Sequence, residues 1–182
     1  MIYLASRLAI IALLSASPAF PQSYFLPVVD GNIFACEYVV SDNVLAVSQA
    51  TAAVLEFANF KSKPFNSIRL SLNPYALPLF THSISVFGYD GADGIITAND
   101  CLPGKYLGTW TLAPDLDFGD DAFFDVTDFV HSLKSDFFGF RLTTDGGSAV
   151  FSSSEINYGT PPHLVATHWP ERARRSGMPR AR

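Results

Sequence analysis

FFDVTDFVHSLKSDFFGFRL, residues 123–142, sets two aromatic runs on either side of a short polar interlude that carries Asp125, Asp128 and His131. Three such side chains in a row invite reading as a catalytic or metal-binding cluster. The pattern around them favours a structural role. Phe123 and Phe124 close one strand. Asp125 or Thr127 can cap the following turn by accepting a backbone N–H, and Phe129, Val130 and Leu133 then turn apolar faces inward on a short helix. Ser135-Asp136 ends that helix, and Phe138, Phe140 and Leu142 form the inward row of the next strand. His131 falls three residues after Asp128, a spacing that suits an ordinary surface pair. The stretch reads as a capped crossover between two strands.

The same alternation recurs outward in both directions. Apolar and polar residues alternate in short runs broken by Gly, Pro, Asn and Asp, near 31–40, 52–58, 67–73, 83–89, 105–112, 122–126, 137–143, 148–153 and 163–168. In 67–72 the inward set is Ile68, Leu70 and Leu72. In 53–57 it is Ala53, Leu55 and Phe57, leaving Glu56 outward to pair with Arg69 on a neighbouring strand. Asp145-Gly146 suits a tight hairpin between the strands at 137–143 and 148–153. About nine antiparallel strands and one short helix predict an all-β fold, a β-sandwich of jelly-roll form.

A chain of 182 residues with 48% hydrophobic content, 16 of the residues Phe, suits one folded domain. Its start reads differently. Arg7, the apolar run Leu8–Leu14 and the small residues up to Ala19 have the parts of a signal peptide, too short to span a bilayer, which takes about 20 apolar residues. The expected organisation is a signal peptide at 1–19, a linker at 20–29, a sandwich domain at 30–168 and a basic tail at 169–182. The destination is then the periplasm or the exterior, with no transmembrane anchor in the mature chain. In an oxidising compartment Cys36 and Cys101 are expected to form a disulfide. Closing a loop of about 65 residues, it would stabilise the fold by about 4 kcal/mol on chain entropy. Two cysteines without a close pair argue against structural zinc.

Between Phe20 and Pro170 there are 16 acidic and 6 basic residues, while five of the 12 Lys and Arg lie beyond. So acidic a body makes nucleic acid an unfavourable partner. The acidity concentrates in YDGADGIITAND, residues 89–100. Asp90, Asp93 and Asp100 around two glycines could supply oxygen ligands to Ca²⁺, although the spacing is not that of an EF-hand. They equally suit a solvated turn whose Asp and Gly serve backbone geometry. Tyr89, at a strand end beside this loop, is the aromatic best placed for sugar contact. Trp110, on the side of Tyr106 and Leu112, reads as core. The candidate ligand site is therefore Tyr89, Asp90, Asp93 and Asp100, the three aspartates doubling as metal ligands if Ca²⁺ is the cofactor. No GxSxG, HExxH, P-loop or GxGxxG is present, and the four histidines are scattered. No catalytic residue is expected.

In order, AVLEF (53–57), NSIRLSL (66–72), SVFGYDGADGIITAND (85–100), LGTWTL (107–112), FFDVTDFV (123–130), FFGFRL (137–142) and VFSSSE (150–155) resemble the DNRLRE or disaggregatase-related group of secreted β-sandwich modules. Similar domains occur in bacterial surface proteins with a PEP-CTERM sorting tail. The resemblance spans about residues 30–168, and its most specific element is Asp125-Val126-Thr127 followed by Phe129. It implies a jelly-roll sandwich, export and, for some members, carbohydrate binding. Where members often carry Ser-Arg-Glu, this chain has Ser153-Ser154-Glu155, so a ligand site using that arginine is not implied. No hydrophobic sorting helix follows the domain, and surface anchoring of the PEP-CTERM kind is not implied either. The leading expectation is a secreted, non-catalytic protein that binds glycan or another surface component. The alternative is a structural or assembly protein of the envelope or matrix, with a polysaccharide-acting hydrolase behind both.

Overall fold

A computed structural model describes residues 21–40, 43–60, 65–76, 82–101, 104–112, 120–155 and 159–168. The expected leader and basic tail lie outside them. Among the described residues the strands are β1 (Gln22–Phe25), β2 (Val29–Phe34), β3 (Tyr38–Val40), β4 (Val44–Ser48), β5 (Thr51–Ala58), β6 (Ser67–Leu72), β7 (Pro74–Ala76), β8 (His82–Asp90), β9 (Lys105–Leu112), β10 (Ala122–Asp125), β11 (Phe137–Thr143), β12 (Ser148–Ser152) and β13 (His163–Thr167). One helix, α1, covers Thr127–Ser132, and a single 3-10 turn covers Ala98–Cys101.

The protein is an all-β sandwich. A four-stranded sheet runs β1-β13-β6-β10 and a six-stranded sheet β3-β2-β5-β11-β8-β9, with a small third sheet β4-β12-β7. Every pairing is antiparallel. Ile68, Leu70, Leu72, Leu164 and Ala166 from the first sheet meet Leu55, Phe57, Val86, Phe138, Phe140 and Leu142 from the second in one buried cluster. Phe57, Phe129, Phe138 and Phe140 form its centre, with ring centroids 5.6–6.4 Å apart in mostly edge-on arrangements.

Four strands exceed the sequence expectation. The run 31–40 divides into β2 and β3 because Ala35 and Cys36 both take positive φ, 51° and 59°, and Glu37 N–H closes the turn on Phe34 O. A two-residue turn with both φ positive matches the twist of a hairpin but is usually built from Asn and Gly, so Ala-Cys there is strained. β1 falls in the segment read as linker and pairs with β13. β4 and β7 join β12 in the third sheet. The hairpin expected between β11 and β12 does not form. β11 is bonded along both edges, to β5 and β8, so β12 must go to the third sheet, and the left-handed residue of the turn is Gly147 (φ 75°). Nor do Glu56 and Arg69 pair. They lie in different sheets, and the Arg69 guanidinium sits 4.6 Å from the Phe123 ring centre.

The Asp-Val-Thr element closes one end of the sandwich. Asp125 Oδ1 accepts the Thr127 N–H at 2.9 Å, bending the chain out of β10 into α1. Val126 is buried at the helix N-cap without a side-chain cap, and its N–H bonds to Ile68 O. The Thr127 hydroxyl accepts the Ile68 N–H at 2.8 Å and faces Ile68 O at 3.3 Å, tying the helix to β6. Phe129 drops onto Gly88 of β8, where a Cβ would fall 2.6 Å from its ring. Asp128 and His131 stay exposed. Thr127→Val should cost about 1–3 kcal/mol, because it keeps the shape and leaves a buried N–H without its acceptor. Asp125→Ala should cost about 1 kcal/mol. Urea denaturation of both variants checks the order.

Candidate functional site

Residues 91–101 form a strap that crosses the outer face of the six-stranded sheet. The β5 sequence TAAVLEFA is apolar on both sides, and its outward residues Ala52, Val54 and Glu56 are all buried. Ile96 lies over Gly31 of β2, 3.4 Å from where a Cβ would stand, and Gly94 rests near Val28 and Phe137. The disulfide Cys36–Cys101, with Cα atoms 5.3 Å apart, fixes the far end of the strap to the β2–β3 turn.

Of the three aspartates expected to converge on a ligand, Asp93 and Asp100 shape this strap, and Asp90 ties the end of β8 to the loop after α1. Both Asp90 oxygens accept backbone N–H groups, from Lys134 at 3.1 Å and Ser135 at 3.0 Å. Slight burial works against ionisation of Asp90, but these bonds prevail and hold it below the usual carboxylate range. Asp93 Oδ1 accepts the Ile95 N–H at 2.9 Å. Asp100 Oδ2 accepts both the N–H and the hydroxyl of Thr97. Among the described residues no group of three His, Cys, Asp or Glu is placed to hold a metal ion.

Tyr89 turns under the strap rather than out to solvent. Glu56 of β5, Gly139 of β11 and Tyr89 of β8 stand in one row across three strands. The Tyr89 ring lies across Gly139, where a Cβ would fall 2.2 Å from Cζ, and its hydroxyl donates to Glu56 Oε1 at 2.9 Å. Glu56 Oε2 accepts the Gly94 N–H at 2.8 Å. In the next row, the Arg141 guanidinium lies 4.7 Å from the Phe87 ring centre and donates to Cys101 O. Glu56 is fully buried, and burial raises its carboxyl above the ordinary value against the opposing bonds from Tyr89 and Gly94. Burial and the neighbouring Glu56 push the Tyr89 phenol well above its own.

Two outcomes follow from this row. Gly139→Ala should cost about 1–3 kcal/mol by forcing the Tyr89 ring aside. Combined with Tyr89→Ala it should cost less than the two single losses together, which a double-mutant cycle reads directly. Because the folded protein disfavours the ionised Glu56, stability from this group is present at low pH and lost as pH rises through its raised folded pKa. Wild type should therefore lose stability relative to Glu56→Gln between pH 4 and pH 8, measured as the difference in urea midpoints.

On the other side of the sheet edge a second feature is open to solvent. A groove of about 510 Å³ lies between the start of β9 and the β10–α1 turn, lined by Asn66, Lys105, Tyr106, Asp125, Thr127 and Asp128 among others. Tyr106 does not share a face with Trp110, as alternation predicts. The β8–β9 register shifts so that Phe87 faces Tyr106 while Val86 faces Gly108, and Gly108 takes φ 152°. This bulge sends Trp110 into the core, stacked on Phe151, and turns Tyr106 outward, 54% exposed. The Tyr106 hydroxyl bonds Thr109 Oγ1 at 2.6 Å and its ring packs on Phe87, so it stands exposed yet oriented. A fixed aromatic face with two carboxylates, an amide and an ammonium around it can hold a polyol by stacking and directed hydrogen bonds.

Strand alternation hid Tyr106, because a bulge inverts the faces beyond it. The one signal was a Gly inside the strand run LGTWTL. Ser154, standing where the resemblance leads one to expect Arg, donates both its N–H and its hydroxyl to Asp30. No family model matches the chain, and no curated protein matches it.

Proposed function

We propose that this protein is a secreted, non-catalytic β-sandwich that binds carbohydrate in the groove beside Tyr106, as the DNRLRE or disaggregatase-related modules it resembles would imply. One observation carries the reading: an exposed aromatic ring, held in place by Thr109 and Phe87, forms the rim of a polar groove. A pyranose presents an apolar C–H face to such a ring. Its hydroxyls donate to carboxylates such as Asp128 and to the free oxygen of Asp125, and accept from Lys105 and Asn66. Two carboxylates to one ammonium favour neutral sugars over uronic acids. The Cys36–Cys101 disulfide supports export to an oxidising compartment.

A glycan array followed by calorimetry with neutral oligosaccharides tests the reading. Tyr106→Ala should weaken binding at least about tenfold, or about 1.4 kcal/mol, with an unchanged thermal midpoint, since its ring lies outside the buried core. Asp128→Asn should weaken binding by less. Blank arrays, or wild-type affinity in Tyr106→Ala, would count against it.

A further inference from the structure

The strap rests on the sandwich without belonging to it. None of its residues joins the buried cluster between the sheets. It merely connects β8 to β9, which pair with each other, so lifting it breaks no strand pairing. Beneath it lie polar groups that an apolar sheet face would not need: Glu56, Tyr89 and Arg141. Above it, the covalent tie is accessible. Cys36 and its neighbours Ala35 and Glu37 are exposed, and a hollow of about 110 Å³ lined in part by Cys36, Gln49, Thr51 and Cys101 opens beside the bond. Cys36 sits at φ 59° next to Ala35 at φ 51°, in the tight turn between β2 and β3.

We propose that Cys36–Cys101 is a redox lock: two-electron reduction by a dithiol oxidoreductase frees residues 91–101 and uncovers Glu56, Tyr89 and Arg141 while the sandwich stays folded. A thiolate of the reductant attacks the sulfur of Cys36, an exposed residue, forming a mixed disulfide and expelling Cys101 as a thiolate that takes up a proton. The second thiol of the reductant then displaces Cys36 and leaves as the oxidised disulfide, so two protons and two electrons pass to this protein. Freed from its far tether, the strap keeps the Arg141 bond to Cys101 O at that end, and over the sheet the bond of Gly94 to Glu56 and the packing of Ile96 on Gly31. The inference does not depend on the sugar groove, whose residues lie outside the strap.

Hydrogen exchange of the full chain, with and without dithiothreitol in the absence of denaturant, tests it. With two free thiols titrated, exchange across 91–101 should rise at least about tenfold, while 68–72 and 138–142 keep their protection. Tyr89 should become open to nitration in the same sample, and Cys101→Ser should reproduce both changes without reductant. An unchanged strap after complete reduction overturns the proposal. So does exchange rising throughout the sandwich, or a bond that dithiothreitol reaches only after denaturation.

Discussion

Strand β11 is hydrogen-bonded along both edges and buried on both faces, and the layers on either side of it answer that constraint. Inward, Phe138 and Phe140 need aromatic partners, which Phe57 supplies from the neighbouring strand and Phe129 from the short helix. Outward, Gly139 and Arg141 need a cover that brings polar partners to the buried face. The strap is that cover, bringing a backbone N–H to Glu56 and a backbone carbonyl to Arg141. Pairing along both of its edges also explains why β12 cannot return beside β11.

Small residues decide where larger ones go. Gly88 admits the Phe129 ring to the inner layer, and Gly139 admits the Tyr89 ring to the outer one. The first lets the helix close the end of the sandwich; the second lets a phenol reach a buried carboxylate across an intervening strand. The bulge at Gly108 acts by register instead, sending Trp110 and Tyr106 to opposite faces of β9 and so creating the exposed ring at the groove. Structure and proposed binding meet in that single irregularity.

The acidic loop bears on how function is read from composition. Asp90, Asp93 and Asp100 cluster in sequence, yet Asp90 accepts N–H groups from Lys134 and Ser135, far along the chain, and Asp93 and Asp100 each shape a local bend within the strap. Carboxylates do this readily because a short side chain reaches the amide two or three residues away. The groove draws on residues from three separate places, Asn66, Lys105–Tyr106 and Asp125–Asp128, which no local pattern joins.

By itself the sequence determined the class of fold, the inward rows Ile68-Leu70-Leu72 and Phe138-Phe140-Leu142, the short helix after Asp125 and the Cys36–Cys101 bond, because periodicity, the turn an Asp makes with its own backbone and cysteine number are local or countable. Only the tertiary structure decided that Glu56 pairs with Tyr89 rather than Arg69, that Tyr106 faces out and that the acidic loop lies down as a strap. Those outcomes depend on which strand is neighbour to which and on a one-residue shift of register, and neither strand order nor a bulge leaves a periodic mark on the chain.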